Sequence, residues 1–241
     1  MKVINYLLGY KNLYIVQDTN MFNFSLDSVL LSNFVTINKE VKRIMDIGCG
    51  NAPIPIILST KTDSKIIGVE IQEEVYNLAV ESIKINSLDN QIEVINSDIN
   101  DIYKNYEVGS FDLITCNPPF FKYTNNSNVN KTNYKTLARH EVTLNLEQIM
   151  KIAKYLLRNN GKIDIVHRPE RLVDIIDSMR RNNIEPKKIQ FVYPHDDSEA
   201  NMILVEGIKN AKCGLKVLKP IISHNRNGEY TEEVKKFFIN N

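Results

Sequence analysis

The stretch Arg43–Pro53, R-I-M-D-I-G-C-G-N-A-P, combines a short apolar run, two glycines and a proline. The run has the length of a buried strand, and Gly48 and Gly50 follow it where the chain must turn tightly. Pro53 and Pro55 are tolerated together only in the first turn of a helix. The stretch therefore predicts a strand, a tight turn and a helix, which is the repeating unit of parallel α/β sheets.

Strand-like and helical segments alternate along the rest of the chain. Upstream, Ser25 can cap a helix whose apolar residues, including Leu26 and Phe34, recur at helical spacing. Downstream, the strand-like runs are Lys65–Ile71, Ile92–Ile99, Phe111–Cys116 and Lys162–His167, and the helical segments are Gln72–Ser87, Leu144–Arg158 and Arg168–Asn182. Such alternation predicts a parallel sheet.

Two further strand-like runs, K-K-I-Q-F-V-Y-P from Lys187 and A-N-M-I-L-V-E-G-I from Ala200, are joined only by H-D-D-S-E. Because this link is too short for a parallel crossover, the last strand must turn back antiparallel. We therefore expect an α/β fold with a seven-stranded, mostly parallel sheet and an antiparallel last strand. We expect one domain over residues 1–241, with residues 1–40 as a helical extension packed on it.

The composition is that of an ordinary globular protein, with 241 residues, 43% hydrophobic and 24% charged. These values exclude disordered, collagenous and coiled-coil classes. The three cysteines are too far apart for a disulfide framework or a metal-ligand spacing, so we predict reduced thiols and no metal. Without a long apolar run or a signal peptide, the chain is expected to be cytoplasmic and to have no membrane partner.

The net charge of +1 hides an uneven distribution. Residues 113–140 and 207–228 contain no Asp or Glu but nine Lys and Arg, which leaves 21 basic against 29 acidic residues elsewhere. A positive face on an acidic body is one way to approach a polyanion. Two solvated lysine-bearing loops are the alternative explanation. If the segments bind nucleic acid, the phosphate contacts fall to Lys122, Lys131, Lys135, Arg139, Lys216 and Lys219.

Ligands of open parallel sheets bind outside the carboxyl ends of the strands. The segment from Asp46 to Ala52, Glu70, Asp98 and the segment from Asn117 to Phe120 all follow predicted strands, so they should converge on one crevice. Glu70 follows Gly50 by 20 residues, which suits a carboxylate that accepts hydrogen bonds from ribose hydroxyls.

A dinucleotide is a poor fit to this crevice. Its fingerprint requires a third glycine where Pro53 stands, and the Asp46 carboxylate would repel a pyrophosphate. A ligand with an ammonium group fits better, and S-adenosylmethionine combines that group with ribose for Glu70 and adenine for Asp98. The predicted cofactor-binding residues are Asp46, Gly48, Gly50, Asn51, Glu70, Ile71, Asp98, Ile99 and Asn117.

The tetrapeptide Asn117-Pro118-Pro119-Phe120 follows the fourth strand of the sheet. Two prolines fix the backbone and remove two donors, so the Asn117 side chain and the Pro118 carbonyl can accept hydrogen bonds from a planar amine. Two acceptors on its hydrogens favour a pyramidal nitrogen, and Phe120 offers a face on which an extruded base can stack. We therefore predict that these four residues are catalytic, although a rigid turn with a core phenylalanine is the alternative.

In D-I-G-C-G-N, G-V-E-I and N-P-P-F the chain resembles class I S-adenosylmethionine-dependent amino-methyltransferases, which have a Rossmann-like fold with a reversed last strand. In F-N-F-S-L-D-S-V-L-L, A-R-H-E, R-P-E-R-L and G-E-Y-T-E-E it resembles the bacterial tRNA-valine adenine-37 N6-methyltransferase family over nearly its whole length. The resemblance implies methyl transfer to an adenine beside the anticodon. Two residues depart from the family: Ala52 replaces a common glycine, and Phe120 replaces a common tyrosine.

Several alternatives remain open from the residues alone. N-P-P-F also suits an adenine in ribosomal RNA or DNA, or a protein glutamine, as the methyl acceptor. Remoter alternatives are an NAD-dependent oxidoreductase and a binding module without chemistry. Arg139, His140 and Glu141 are either a surface ion pair or, by the resemblance, a substrate-loop anchor. We expect tRNA as the partner and a monomeric protein.

Overall fold

The computed structural model describes residues 1–19, 26–118 and 144–239. Its strands are β1 (Lys2–Tyr6), β2 (Tyr14–Asp18), β3 (Arg43–Ile47), β4 (Lys65–Glu70), β5 (Ile92–Asn96), β6 (Phe111–Cys116), β7 (Leu157–His167), β8 (Ile184–Tyr193), β9 (Met202–Lys209), β10 (Lys216–Val217) and β11 (Ile221–Ile222). Its α-helices are α1 (Leu26–Phe34), α2 (Pro53–Ser59), α3 (Glu73–Ile85), α4 (Ile99–Ile102), α5 (Leu146–Leu156), α6 (Leu172–Arg181) and α7 (Glu232–Ile239).

The central sheet has the order β5-β4-β3-β6-β7-β9-β8, with β10 and β11 both pairing with β8. Strands β3 to β8 are parallel, and β9 runs antiparallel between β7 and β8. The predicted mostly parallel sheet with an antiparallel last long strand is therefore confirmed, and the short strands β10 and β11 raise the strand count from the predicted seven to nine. After β5 the chain returns to the other side of β3 to form β6, so the sheet has a switch point between β3 and β6.

Helices cover both faces of the sheet and divide the core into two layers. One layer packs α1, α2, α3 and the first turns of the chain against the sheet. The other layer packs α5 and α6 against the opposite side of the same strands. α5 begins with a capping box in which the Asn145 side chain and the Gln148 side chain satisfy each other's backbone N–H groups.

The predicted helical extension over residues 1–40 is wrong for its first half. β1 and β2 form an antiparallel hairpin in which Ile4 lies opposite Val16, and only α1 is helical in this region among the described residues. The hairpin packs on α3, where the Ser82 hydroxyl accepts a hydrogen bond from the Val16 backbone N–H at 2.9 Å. Valine, isoleucine and tyrosine, which are frequent in strands, make up much of both segments.

Two details of the strands also differ from the sequence-based expectation. The third strand of the sheet ends at Asn96 rather than Ile99, because Asp98 caps α4 by accepting a hydrogen bond from the Asn100 backbone N–H at 2.8 Å. β10 and β11 extend the edge of the sheet beside β8 and were not predicted.

Candidate active site

The turn after β3 lies at the switch point of the sheet. The backbone N–H groups of Gly48 and Cys49 both donate to the Val69 carbonyl of β4, at 2.9 and 3.0 Å. Gly48 and Gly50 have φ angles of 69° and 57°, which glycine adopts without a steric penalty. A Cβ built on either glycine would meet nothing within 4 Å, so the turn borders open space.

Ala52 adopts the same left-handed conformation, with φ 69°, although it carries a side chain. It precedes α2, whose first turn contains Pro53 and Pro55 as predicted. The methyl group of Ala52 is fully buried, so it packs against the core of the turn. The alanine that departs from the family pattern is thus accommodated at the cost of backbone strain.

Asp46, the last but one residue of β3, has 0% exposure. Its Oδ1 accepts a hydrogen bond from the Thr115 hydroxyl at 2.6 Å, whereas Oδ2 has no hydrogen-bond partner among the described residues. Burial raises the pKa of Asp46 to about 7, the Thr115 hydrogen bond opposes that shift, and the neighbouring Glu70 carboxylate adds to it. A buried carboxylate oxygen without a donor is costly, so this site favours a cationic or N–H-bearing ligand.

Glu70 ends β4 and directs its carboxylate toward the glycine turn. Oε2 accepts a hydrogen bond from the Gly50 backbone N–H at 3.0 Å, and Oε1 accepts one from the Gln72 backbone N–H at 2.9 Å. Burial raises the pKa of Glu70, while these backbone N–H groups oppose the shift. The sequence placed Glu70 correctly next to the turn, and each of its oxygens can still accept a further hydrogen bond.

Asn51 connects the turn to the N-terminal hairpin. Its side-chain amide donates to the Val16 carbonyl of β2 at 2.8 Å. Asn51 is buried, as is Gln17 of the same strand. The sequence predicted Asn51 as a cofactor ligand, but in the structure its Nδ2 anchors the hairpin beside the glycine turn.

The remaining predicted cofactor residues flank the turn. Ile71 is 40% exposed at the end of β4, so it offers an apolar surface next to Glu70. Asp98 follows β5 and is half-buried, but its Oδ1 already accepts two hydrogen bonds from Asn100. Ile99, the first residue of α4, is buried in the core layer that includes α5 and α6.

Asn117 and Pro118 follow β6 directly, and β6 lies beside β3 with Cys116 opposite Ile47. The structure therefore brings Asn117 to the same edge of the sheet as the glycine turn. Asn117 is half-buried and Pro118 is buried. Pro119 and Phe120, which complete the predicted catalytic tetrapeptide, lie outside the described residues.

His167 is a candidate that the sequence did not single out for this site. It ends β7, the strand next to β6, and is fully buried. Its Nδ1 accepts a hydrogen bond from the Arg168 backbone N–H at 2.7 Å. Burial and the nearby Arg171 and Arg168 lower the pKa of His167 to about 3, so the ring is neutral at physiological pH. Its position at the end of a predicted strand, directly before R-P-E-R-L, was the available indication.

The predicted phosphate contacts are only partly described. Lys122, Lys131, Lys135 and Arg139, with His140 and Glu141, lie outside the described residues. Lys216 and Lys219 are exposed along the outer edge of the sheet, where Lys216 lies opposite Lys188 of β8. Lys209 instead donates a hydrogen bond to the Leu157 carbonyl at the start of β7. This part of the basic segment therefore lies at the amino ends of the parallel strands, whereas the glycine turn lies at their carboxyl ends.

The residues present fit S-adenosylmethionine. The orphaned Asp46 Oδ2 suits an ammonium group, the Glu70 carboxylate suits ribose hydroxyls, and the Cβ-free turn allows close approach of a nucleoside. Within the described ranges there is no cluster of three His, Cys, Asp or Glu side chains that could hold a metal ion. No helix in those ranges is long and apolar enough to cross a membrane.

A doubly covered parallel sheet with a glycine turn, a following acidic residue and Asn-Pro at the switch point defines a Rossmann-like methyltransferase architecture. Residues 25–176 match the family model of the methyltransferase small domain. The chain belongs to this family of enzymes.

The chain is also similar to curated proteins over nearly its full length. It is 25% identical over 234 residues to the tRNA1(Val) (adenine(37)-N6)-methyltransferase of Parabacteroides distasonis, covering 95% of this chain and 96% of that protein.

Solved structures share the fold. A predicted O-methyltransferase from Agrobacterium tumefaciens superposes with a TM-score of 0.69 at 18% identity, over 88% of this chain and 95% of that one. TrmK of M. capricolum, in complex with S-adenosyl-homocysteine, superposes with a TM-score of 0.56 at 20% identity, over 79% and 71% of the two chains. These likenesses agree with the class I methyltransferase fold predicted from the sequence.

Proposed function

We propose that this protein transfers a methyl group from S-adenosylmethionine to the N6 amine of adenine 37 in a tRNA. The observation that carries the proposal is the placement of Asn117 and Pro118 at the end of β6, beside the Asp46 turn at the end of β3. The near-full-length similarity to a tRNA1(Val) (adenine(37)-N6)-methyltransferase supports the choice of acceptor.

The chain's own residues divide the work between binding and orientation. Asp46 would receive the ammonium group of the cofactor, and Glu70 would receive its ribose hydroxyls. When bound, the cofactor supplies an electrophilic methyl sulfonium. The side-chain oxygen of Asn117 and the carbonyl of Pro118 would accept hydrogen bonds from the target amine and orient its lone pair. Catalysis then rests on positioning and electrostatics, and no general base is needed before transfer.

The test is single-turnover methylation of an unmodified valine tRNA transcript, followed by mass spectrometry of its nucleosides. We expect N6-methyladenosine from the transcript with adenine at position 37 and none from a matched transcript with guanine there. Equal methylation of both transcripts would contradict the assigned position. Transfer to ribosomal RNA, DNA or a protein glutamine, with none to tRNA, would contradict the substrate.

Asn117→Ala tests the chemistry in the same assay. Loss of one preorganised polar group at the reacting centre should lower turnover by roughly two to three orders of magnitude while cofactor affinity is kept. Asn105→Ala, which removes an exposed asparagine away from the site, is the matched control and should turn over normally. An Asn117→Ala enzyme within about threefold of wild type would show that the amine is held elsewhere.

An enzyme with this substrate would act in the cytoplasm, where tRNA is found.

We further propose that it acts as a single-domain monomer on tRNA, with Lys216 and Lys219 binding phosphates. Removing one phosphate-binding lysine should reduce the log-log salt slope of tRNA binding by roughly 0.7 to 0.9. The Lys216→Ala, Lys219→Ala double variant should therefore show a smaller slope, and light scattering of the free protein tests the monomer.

A further inference from the structure

A row of polar side chains crosses one face of the sheet beneath α1. The register aligns five positions on neighbouring strands, and these are Asp46, Thr115, Asp164, Glu206 and Lys188. Side chains aligned in this way project from the same face of a sheet. Apolar residues flank the row on that face, for example at Ile44, Leu113 and Val166. The row begins at the glycine turn and ends at Lys188, whose Nζ lies 3.1 Å from Glu206.

Thr115 is the member of the row that lies next to Asp46 of the proposed cofactor site. It has 0% exposure, and its hydroxyl donates to Asp46 Oδ1 at 2.6 Å. A threonine hydroxyl has one proton, so this bond uses its only donor and directs it at one carboxylate oxygen. The other oxygen, Oδ2, is left without a partner among the described residues.

We propose that Thr115 is a positioning residue of the cofactor site, which holds Asp46 with Oδ1 occupied and Oδ2 directed to the ammonium group of the ligand. This inference rests on the proposed use of S-adenosylmethionine. It adds to that proposal a residue that contacts no ligand itself and acts only through Asp46.

The hydroxyl also affects the charge of Asp46. A hydrogen bond to the ionised form of a carboxyl favours that form, and Thr115 opposes the upward shift that burial imposes on the pKa of Asp46. Without it, a larger fraction of Asp46 would be protonated near neutral pH, and a neutral carboxyl attracts an ammonium group weakly. Thr115 therefore extends cofactor binding to lower pH.

Among the described residues, the titratable groups that the structure places beside Asp46 are carboxylic acids or thiols. β4 contributes Glu70, and the turn and β6 contribute Cys49 and Cys116, whose thiol pKa values are raised well above the ordinary value, chiefly by burial. β7 contributes Asp164 on the far side of Thr115. α1, which covers the same face of the sheet, carries the buried Asp27, and α2 carries no charged residue. Within the described ranges none of these groups donates a hydrogen bond to Oδ2 of Asp46. The hydrogen bond to the Asp46 side chain that the structure describes comes from Thr115.

The experiment is calorimetric titration of the full-length protein with S-adenosylmethionine between pH 5.5 and 8.5, for wild type, Thr115→Val and Thr115→Ser. Valine keeps the shape of threonine and removes the hydroxyl. We expect Thr115→Val to bind at least about tenfold more weakly at pH 7 and to move the pH midpoint of binding upward by about one unit. Thr115→Ser restores the donor and should recover both values. The titration of the ligand's own ammonium group is common to all variants and cancels in the comparison.

Ile114→Val is the matched control, because it trims a neighbouring, equally buried side chain on the opposite face of β6. It should keep the wild-type midpoint. If Thr115→Val does not fold cooperatively, Thr115→Ala takes its place with the same expected shift. A folded Thr115 variant that lacks the hydroxyl and keeps the wild-type midpoint would overturn the positioning role. Failure of the proposed function is distinct, because wild type itself would then show no binding of S-adenosylmethionine.

Discussion

The two faces of strands β3 and β6 differ sharply. One face carries Met45, Ile47 and Ile114, which pack with α5 and α6 in the second apolar layer of the core. The other face carries Asp46 and Thr115, the first members of the polar row. Both faces are equally buried, so burial alone does not explain the difference. The apolar face contributes stability, whereas the polar face retains groups whose desolvation is unfavourable without a ligand.

The comparison shows where this fold keeps its functional groups. Near the end of β3 the described structure combines an unpaired buried carboxylate oxygen, Asp46 Oδ2, with three left-handed residues, which are Gly48, Gly50 and Ala52. Natural proteins tolerate such local conflicts at functional sites when the surrounding structure compensates for them. The apolar layer on the opposite face of the same strands provides that compensation.

Ile114→Ala removes a side chain from the apolar face of β6 and should have the largest effect on the free energy of unfolding. Ile114 is fully buried between β6 and α5, and loss of such a side chain costs about 2–5 kcal/mol. Urea unfolding measures the loss, and cofactor affinity of the folded protein should stay at the wild-type value. A loss below about 1 kcal/mol would show that this face is loosely packed.

Asp46→Asn changes the polar face and should raise the free energy of unfolding, whereas Ile114→Ala lowers it. Burial raises the pKa of Asp46 in the folded protein to about 7. The Asp46 carboxyl therefore does not lower the free energy of unfolding below its unfolded pKa, lowers it increasingly as the pH rises, and has its full destabilising effect above about pH 7. The variant should therefore be more stable than wild type by about 1–3 kcal/mol at pH 8.5, and by less at pH 5, while cofactor binding is lost. Thermal unfolding at the two pH values checks this. A stability difference that is independent of pH would contradict the buried charge.

Glu70→Ala tests the second carboxylate of the proposed cofactor site, which lies on β4 beside the glycine turn. Charge-assisted hydrogen bonds to ribose are worth roughly 1.5–3 kcal/mol each, so affinity for S-adenosylmethionine should fall by at least about tenfold. Glu93→Ala, which removes an exposed carboxylate from neighbouring β5, is the control and should bind normally. Unchanged affinity of Glu70→Ala in calorimetry would remove Glu70 from the cofactor site.

Ala52→Gly should have the smallest effect. Glycine relieves the left-handed strain of about 1–2 kcal/mol, but it also loses a buried methyl group and adds backbone entropy to the unfolded chain. The free energy of unfolding should change by less than about 1 kcal/mol. A destabilisation of more than about 2 kcal/mol in urea would show that the methyl group is tightly packed rather than merely tolerated.

Much of the fold was predictable because its indications are local. D-I-G-C-G-N-A-P combines turn glycines and first-turn prolines within a few residues, and the five-residue link before Ala200 excludes a parallel crossover. The hairpin was missed because four of the five residues of β1 are exposed, so its sequence lacks the alternation of a half-buried strand. β10 and β11 have two residues each, too few for any periodicity.

The candidate site, like the fold, was predictable from the sequence only in part. The sequence by itself determined which residues end the parallel strands, so Asp46, Glu70 and Asn117 were placed at one edge from motifs and spacing alone. Only the tertiary structure paired Thr115 with Asp46, which is 69 residues away, and turned the Asn51 amide toward the hairpin. The physical reason is that strand order and register between distant segments arise from packing of the whole sheet, and no local pattern records which side chains that packing brings into contact.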